Sequence, residues 1–381
     1  MTPIGVACLA IVLLASFALA RWAAGGRDWT RFAVAGTTYT RPAETPVPVR
    51  VVPGNGYDGQ FYLRFAFDPF EAAPDAHGIR LDAPAYRQQR VLLPGLAWLL
   101  ALGDPARAPA ALVLVNLLAI GVLTGCMAAL CTRSGVAPAW ALLAGLAPGC
   151  VMGLGRDLSE PLAAAGVVAA LLLALERPRW APFALGAALL AKDTAVMAAA
   201  AYATACLARP ETRRTALWLV PALAPAAAWQ LALRSHWGHW PWQEVAETLR
   251  GGWFARGLSV HARRLHEGDL LESSLGTIAL VWLVWLGVEA GRAARGPAAA
   301  PAGATRSLAL RFAALTALGW LAVAWRMRIW GEHWGFLRVL LDAQLAALAF
   351  VFLRGRRPSL AFAGLTLALS AVLAARLVLR P

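Results

Sequence analysis

"PGNGYDGQFYLRFAFDPF" occupies residues 53–70. Gly54, Gly56 and Gly59 spell GxGxxG, the turn with which soluble βαβ enzymes cradle a dinucleotide. On that reading the chain is a soluble α/β protein. The fingerprint needs a strand before it, a helix after it and a completed βαβ unit around it. "VRVV" (49–52) suits a strand and "GQFYLRFAF" (59–67) suits a helix, but Pro53 breaks the junction. The chain then runs into an apolar segment at 89, so no parallel sheet can be completed. The glycines instead make a tight turn that lifts Asp58 out of the chain.

The surrounding sequence points to a membrane. Of 381 residues, 59% are hydrophobic and 15% charged, against about a quarter charged in soluble domains. Mean hydropathy is +0.58. Apolar segments fall at 3–22, 89–103, 108–131, 136–154, 158–175, 180–207, 215–234, 273–291, 307–325, 335–353 and 359–378. The expected fold is therefore all-α: one polytopic membrane domain over 1–381 with about 11 transmembrane helices. The first segment lacks a basic n-region and reads as a retained helix, not a signal peptide. Lys192 and Asp193 interrupt the sixth, which invites a mutual ion pair or two half-helices. Cys8, Cys126, Cys131, Cys150 and Cys206 lie in or beside apolar segments and read as small hydrophobes.

The loops 24–88 and 236–272 are long, and 292–306 is an Ala/Gly/Pro linker. Alternation puts both long loops on one side. Short connections on the other side carry Arg107, Arg156, Arg209, Arg213, Arg214, Arg292, Arg295, Arg306, Arg354, Arg356 and Arg357. Those on the long-loop side carry Arg133, Arg177, Arg179, Arg326 and Arg328. The excess makes the first set cytoplasmic, against the local signal of Arg21 and Arg27, and the long loops extracytoplasmic. His77, His236, His239, His261, His266 and His333 then lie outside. The net charge of +14 marks topology and headgroup contacts. It is scattered at segment ends, which excludes a nucleic-acid face.

After Asp58, the residues Phe61, Tyr62, Phe65 and Ala66 fall at helical spacing. Such a helix is expected to lie flat in the headgroup region, with Asp58 either capping it or facing a lipid substrate. Asp82, Tyr86, Arg87, Gln88, Gln89 and Arg90 precede the next apolar run. Arginines and amides packed there suit a phosphate. Asp68, before Pro69, and Asp82, before Pro84, also suit turns. Arg156, Asp157 and Glu160 form a charged knot that helix counting places away from Asp58, unless a neighbouring segment is re-entrant. His236 and His239 would ligate a metal only if helical, and Gly238 and Pro241 oppose that. Trp237, Trp240, Trp242 and Trp253 suit an interfacial belt or sugar stacking.

"YDGQFYLRFAFDPF" followed by "LDAPAYRQQRVLLPGLAWLLALG" resembles bacterial multi-pass proteins linked with cell-surface glycopolymer formation. Through them the chain is similar to the glycosyltransferase C superfamily, membrane enzymes that use polyprenyl-phosphate sugars as mannosyltransferases do. "RDLSEPLA" (156–163) and "LLAKDTAV" (189–196) are weaker matches. The second usually reads Leu-Thr-Arg-Glu-Thr, where this chain has Ala191, Lys192, Asp193 and Thr194. The resemblance implies an essential acid in the first outer loop, the position of Asp58. It implies transfer of a sugar from a polyprenyl-phosphate donor to an extracytoplasmic glycan or lipid acceptor, in a bacterial inner membrane. Asp58 would act as base with inversion. Arg87, Arg90 and Arg338 would hold phosphate, while Tyr57, Gln60, Tyr62, Arg64 and the 82–90 residues would surround the substrates. No DxD pair occurs, so a divalent metal and a nucleotide donor are not expected. The rival readings are a transporter or flippase of lipid-linked saccharides, and a non-catalytic component of a polysaccharide assembly complex.

Overall fold

A computed structural model describes residues 1–245, 259–260, 263, 270–296, 303–324, 330 and 335–379. His261, His266, His333, Trp253, Arg326, Arg328 and residues 297–302 of the linker lie outside the described residues. The unbroken apolar runs become helices because every backbone polar group must be satisfied within the segment when no water is at hand. In chain order these are α1 (Pro3–Ala24), α2 (Gly59–Phe67), α3 (Pro84–Gln88), α4 (Leu92–Leu100), α5 (Ala108–Arg133) and α6 (Leu142–Gly145). There follow α7 (Pro148–Gly155), α8 (Glu160–Glu176), α9 (Ala181–Ala191), α10 (Val196–Leu207), α11 (Pro210–Arg213) and α12 (Leu219–Trp237). The last are α13 (Leu270–Arg295), α14 (Ala304–Ala324), α15 (Gly335–Val339), α16 (Leu341–Leu353) and α17 (Leu360–Leu379).

Among the described residues six helical runs are long and apolar enough to cross a membrane, or seven if the pair Pro138–Gly145 and Pro148–Gly155, bent by 48°, counts as one. The chain is a multi-pass membrane protein. The other apolar segments form shorter helices: nine residues in α4, 17 in α8, 11 and 12 in α9 and α10, and 13 in α16. A span takes about 20.

The helix ends sort into two layers. Gly121 of α5 lies against Ile11 and Gly125 against Ala7, so α5 runs antiparallel to α1. The start of α5 therefore sits where α1 ends. There Ala108, Leu112 and Val115 pack in one cluster with Ala33, Val49, Leu63 and Leu93 of the first loop and α4. Segment 89–103 thus leaves and re-enters the same layer instead of traversing the bundle. The expectation that Arg107 lies opposite the first loop is overturned. Arg156 moves likewise: its carbonyl presses on Gly59, where a Cβ would come within 2.3 Å. Lys192, Arg338 and the end of α12 join this layer through contacts given below; it is called the site end. At the opposite end Arg133 pairs with Glu176 at 2.7 Å, and Tyr202 donates to the Pro178 carbonyl. There too Phe183 meets Trp218, Arg306 reaches Leu353, Arg354 reaches Ala293, and Arg357 lies over Trp140. Arg133, Arg177 and Arg179 therefore share an end with Arg209, Arg306 and Arg354, contrary to expectation.

The first loop is folded, not a surface tether. Two-residue strands β1 (Ala35–Gly36) and β2 (Val51–Val52) pair in parallel, and β3 (Asp75–Ala76) and β4 (Ile79–Arg80) antiparallel. Gly56, at φ +65°, passes so close to Gly36 that a Cβ would be 2.3 Å from its amide nitrogen. These close crossings, not a nucleotide, account for the GxGxxG match. All nine residues of α2 are buried. The expected interfacial helix is therefore wrapped by its own loop and by α4 and α5. An aromatic face next to the apolar ends of helices finds protein before it finds lipid.

Candidate functional site

Asp58 precedes α2 without capping it. With its carboxylate not spent on backbone amides, two guanidiniums take it: Arg87 at 3.0 Å and Arg338 at 3.0 Å. Arg338 comes from α15, 280 positions further along the chain, and also holds Glu160 at 2.8 Å. Glu160 in turn takes Lys192 at 3.1 Å. Arg90 is bound by Asp193 at 3.1 Å, donates to the Tyr62 hydroxyl at 3.2 Å, and donates also to the Tyr86 hydroxyl. Tyr62 Oη lies 2.9 Å from Ser159 Oγ. Asp82 holds Arg87 through both oxygens, each at 2.8 Å. Four chain regions thus meet in one network: the first loop, residues 156–160, the break between α9 and α10, and α15.

Aromatic rings fix the cations. Arg87 lies 4.4 Å above Phe61, Arg90 4.4 Å above Tyr86, and Tyr57 carries Arg156 at 4.1 Å and Arg338 at 4.9 Å. Cation–π contacts strengthen where water is excluded. The charge balance decides the state of Asp58. Burial pushes its carboxyl up, but the nearby charges of Arg87, Arg338 and Arg90 outweigh it and hold the group well below the usual carboxylate range. A dehydrating interface alone predicts the opposite direction. Burial also pushes the Tyr86 hydroxyl up to about 12, so it stays protonated.

Other expected site residues serve the scaffold. Gln60 accepts from Gly36 and Thr40 and donates to the carbonyls of Asn55 and Tyr57, all within 3.1 Å. Its amide is fully used in holding the loop. Arg64 is buried on another side of α2, stacked on Phe65 and donating to the Ala73 carbonyl. Gln88 accepts from Trp237 at 3.1 Å and its carbonyl accepts from Trp229 at 3.2 Å, latching α3 to α12. Gln89 accepts from Gln230 at 3.1 Å. Asp68 accepts from the Phe70 amide, as a turn residue does, whereas Asp82 belongs to the network.

Asp157 behaves differently from its neighbours. It is buried at a positive φ of 49°, and among the described residues neither carboxylate oxygen has a hydrogen-bond partner. Burial pushes its carboxyl well above the ordinary range, only partly opposed by Arg21. The knot 156–160 is therefore not one salt-bridge cluster: Arg156 faces Tyr57, Asp157 stands alone, and Glu160 joins Asp58 through Arg338. Lys192 and Asp193 are not a mutual pair either, since each holds a residue from elsewhere. A charge pair interrupting an apolar run was the signal that could have placed both in the site.

Beside Asp193 lies a cavity of about 520 Å³, reached from Gln89 and Gln230 and walled by Leu189, Leu223, Trp229 and Trp240 among others. His236, in α12, contacts the Ala72 carbonyl, while His239, beyond the left-handed Gly238, pairs with Glu244 at 2.9 Å. Among the described residues no group of three or more His, Cys, Asp or Glu side chains is placed to hold a metal ion.

No protein-family model matches the chain, and neither the curated proteins nor the solved structures include a match.

Proposed function

We propose that the protein is a membrane glycosyltransferase of glycosyltransferase C type. It moves a sugar from a polyprenyl-phosphate donor to a glycan or glycolipid acceptor on the extracytoplasmic side of a bacterial inner membrane. The observation that carries this reading is the grip of Arg87 and Arg338 on Asp58, with Arg90 adjacent and, beside its partner Asp193, a largely apolar cavity. Arginines suit a phosphate because the planar fork matches its oxygens. Apolar and tryptophan walls suit the chain esterified to it and the faces of a sugar.

In the reaction, the acceptor oxygen bonds the anomeric carbon while its proton passes to Asp58. The bond from that carbon to the phosphate oxygen breaks, and its electron pair stays on the phosphate. Arg87, Arg90 and Arg338 offset the charge that develops there. Tyr62 and Tyr86, held neutral, orient Arg90. Asp58, held ionised, is ready to take a proton but weakly basic while both guanidiniums remain on it.

The corrected helix paths support the orientation. Arg133, Arg177, Arg179, Arg209, Arg213, Arg214, Arg292, Arg295, Arg306, Arg354, Arg356 and Arg357 belong to connections at the end opposite Asp58. Of the arginines in described short connections, Arg107 and Arg156 belong to the site end. That asymmetry exceeds the one read from alternation, and it supports an external site end.

The test is transfer of labelled sugar from a polyprenyl-phosphate donor in proteoliposomes. A new glycosidic bond supports the reading. Label that crosses the bilayer unattached to any acceptor supports a transporter and removes it.

A further inference from the structure

We infer that Asp58 is a placeholder: its carboxylate fills a site built for a phosphate ester, and the arriving phosphate displaces it from Arg87 and Arg338, freeing it to accept a proton. This rests on the transferase reading of the same site, but it concerns what the arginines bind and in which order.

The network is asymmetric in depth. The side chains of Arg87, Arg90 and Arg338 are 14%, 4% and 11% exposed, whereas those of Asp58, Asp82 and Asp193 are 21%, 28% and 31% exposed. These three cations form a floor less exposed than Asp58, Asp82 and Asp193, and Glu160, at 2%, lies deeper still beneath Arg338. The floor is also the better anchored. Arg87 rests on Phe61, Arg90 on Tyr86 and Arg338 on Tyr57, and each keeps a further partner if Asp58 leaves: Asp82, Tyr62 and Glu160 respectively. Asp58 has no such second tie. Its side chain makes no cap hydrogen bond, and among the described residues it is held by guanidiniums alone.

The grip itself has the geometry of anion recognition. One carboxylate oxygen faces Arg87 and the other Arg338, both at 3.0 Å. Two phosphate oxygens present a similar spacing to two guanidiniums, which pair with phosphate as they do with carboxylate. The donor diester carries one negative charge; the departing monoester gains a second, so its hold on the arginines grows as the bond breaks. Meanwhile burial continues to favour protonated Asp58, and the charges that opposed it have turned to another anion. Before a donor arrives, the same pairing keeps the base quenched. Donor binding therefore precedes activation of the acceptor.

The experiment measures binding, not turnover. Full-length protein in nanodiscs is titrated with farnesyl phosphate, inorganic phosphate and farnesol, read by tryptophan fluorescence from the cavity. If Asp58 competes for the arginines, Asp58→Asn binds farnesyl phosphate on the order of tenfold more tightly than the unaltered protein, and Arg87→Gln and Arg338→Gln bind it at least about tenfold more weakly. Unchanged or weaker binding by Asp58→Asn overturns the proposal. Should that variant fail to accumulate, Asp58→Ser is read in its place: tighter binding supports the competition and unchanged binding overturns it. Farnesol affinity should be the same with and without Asp58; a gain with farnesol equal to that with farnesyl phosphate also overturns it. A gain with inorganic phosphate alone identifies a site that reads the head group, and a gain only with the ester identifies one that needs the chain. Tighter binding by Asp58→Asn, together with no sugar transfer by the unaltered protein, removes the transferase reading and leaves the anion site. Transfer without that gain does the reverse.

Discussion

The two ends of the helix bundle use the same residue types in opposite ways. At the site end, Arg90, Arg338 and Glu160 are nearly dry and each touches more than one partner, and buried Lys192 meets Glu160. At the other end, the Arg133 side chain is 63% exposed and meets Glu176 alone, while Arg306 and Arg354 donate to backbone carbonyls at helix ends. The first arrangement is costly to assemble, because charges leave water and must be matched group by group. The second costs little and specifies little beyond how neighbouring helix ends meet. A buried charge network in a membrane protein therefore marks a place where geometry is closely held.

That contrast is open to direct attack. The largest expected effect is on catalysis: Asp58→Asn should lower sugar transfer by about 10²–10⁴-fold while the protein still folds. Transfer at the unaltered rate in proteoliposomes would remove Asp58 as base. Next is the network itself. Glu160→Gln leaves Lys192 buried beside a neutral amide and should destabilise the protein by roughly 3–5 kcal/mol in detergent unfolding. An effect as small as that of an exposed pair would mean that the network is not buried in the working protein.

Asp157 sharpens the comparison from inside the site end, because it is a buried acid without the matching partners. Its folded-state affinity for a proton is raised. The stability it confers is therefore complete below the ordinary carboxylate value and is lost as pH rises towards the folded value. Asp157→Asn should raise the melting temperature at pH 7 by a few degrees and flatten its decline with pH. Asp58 has the opposite sign: its pairing stabilises above the ordinary carboxylate value and is lost only under strong acid, so it adds no slope between pH 5 and 8. The smallest effect belongs to the far end, where Glu176→Gln should change stability by less than about 1 kcal/mol. A larger loss would erase the distinction between the ends.

Much of the membrane fold was legible in residues alone, because a run of apolar side chains without charge has few other destinations. The candidate site was legible in part. Asp58, Arg87 and Arg90 stand close in sequence, and "YRQQR" before an apolar helix already reads as an anion site. Gln60, Arg64 and Gln88 carried the same polar signal, yet their side chains are spent on the loop's own backbone and on α12. A polar residue's chemistry is printed in the sequence; whether its hydrogen bonds are already taken is not. Lys192 and Asp193 show the converse, since a charge pair adjacent in sequence divided between two distant partners.

By itself, the sequence determined that this is a helical, multi-pass membrane protein with a substantial first loop, because composition and apolar run length set the solvent each segment can tolerate. Only the tertiary structure decided that α4 stays in the loop layer, that α2 is enclosed, and that Asp58 meets Arg338 and, through it, Glu160. The reason is physical. Hydropathy acts on each segment separately, whereas pairing a buried charge depends on which helix ends reach the same depth, and no local stretch of sequence encodes that.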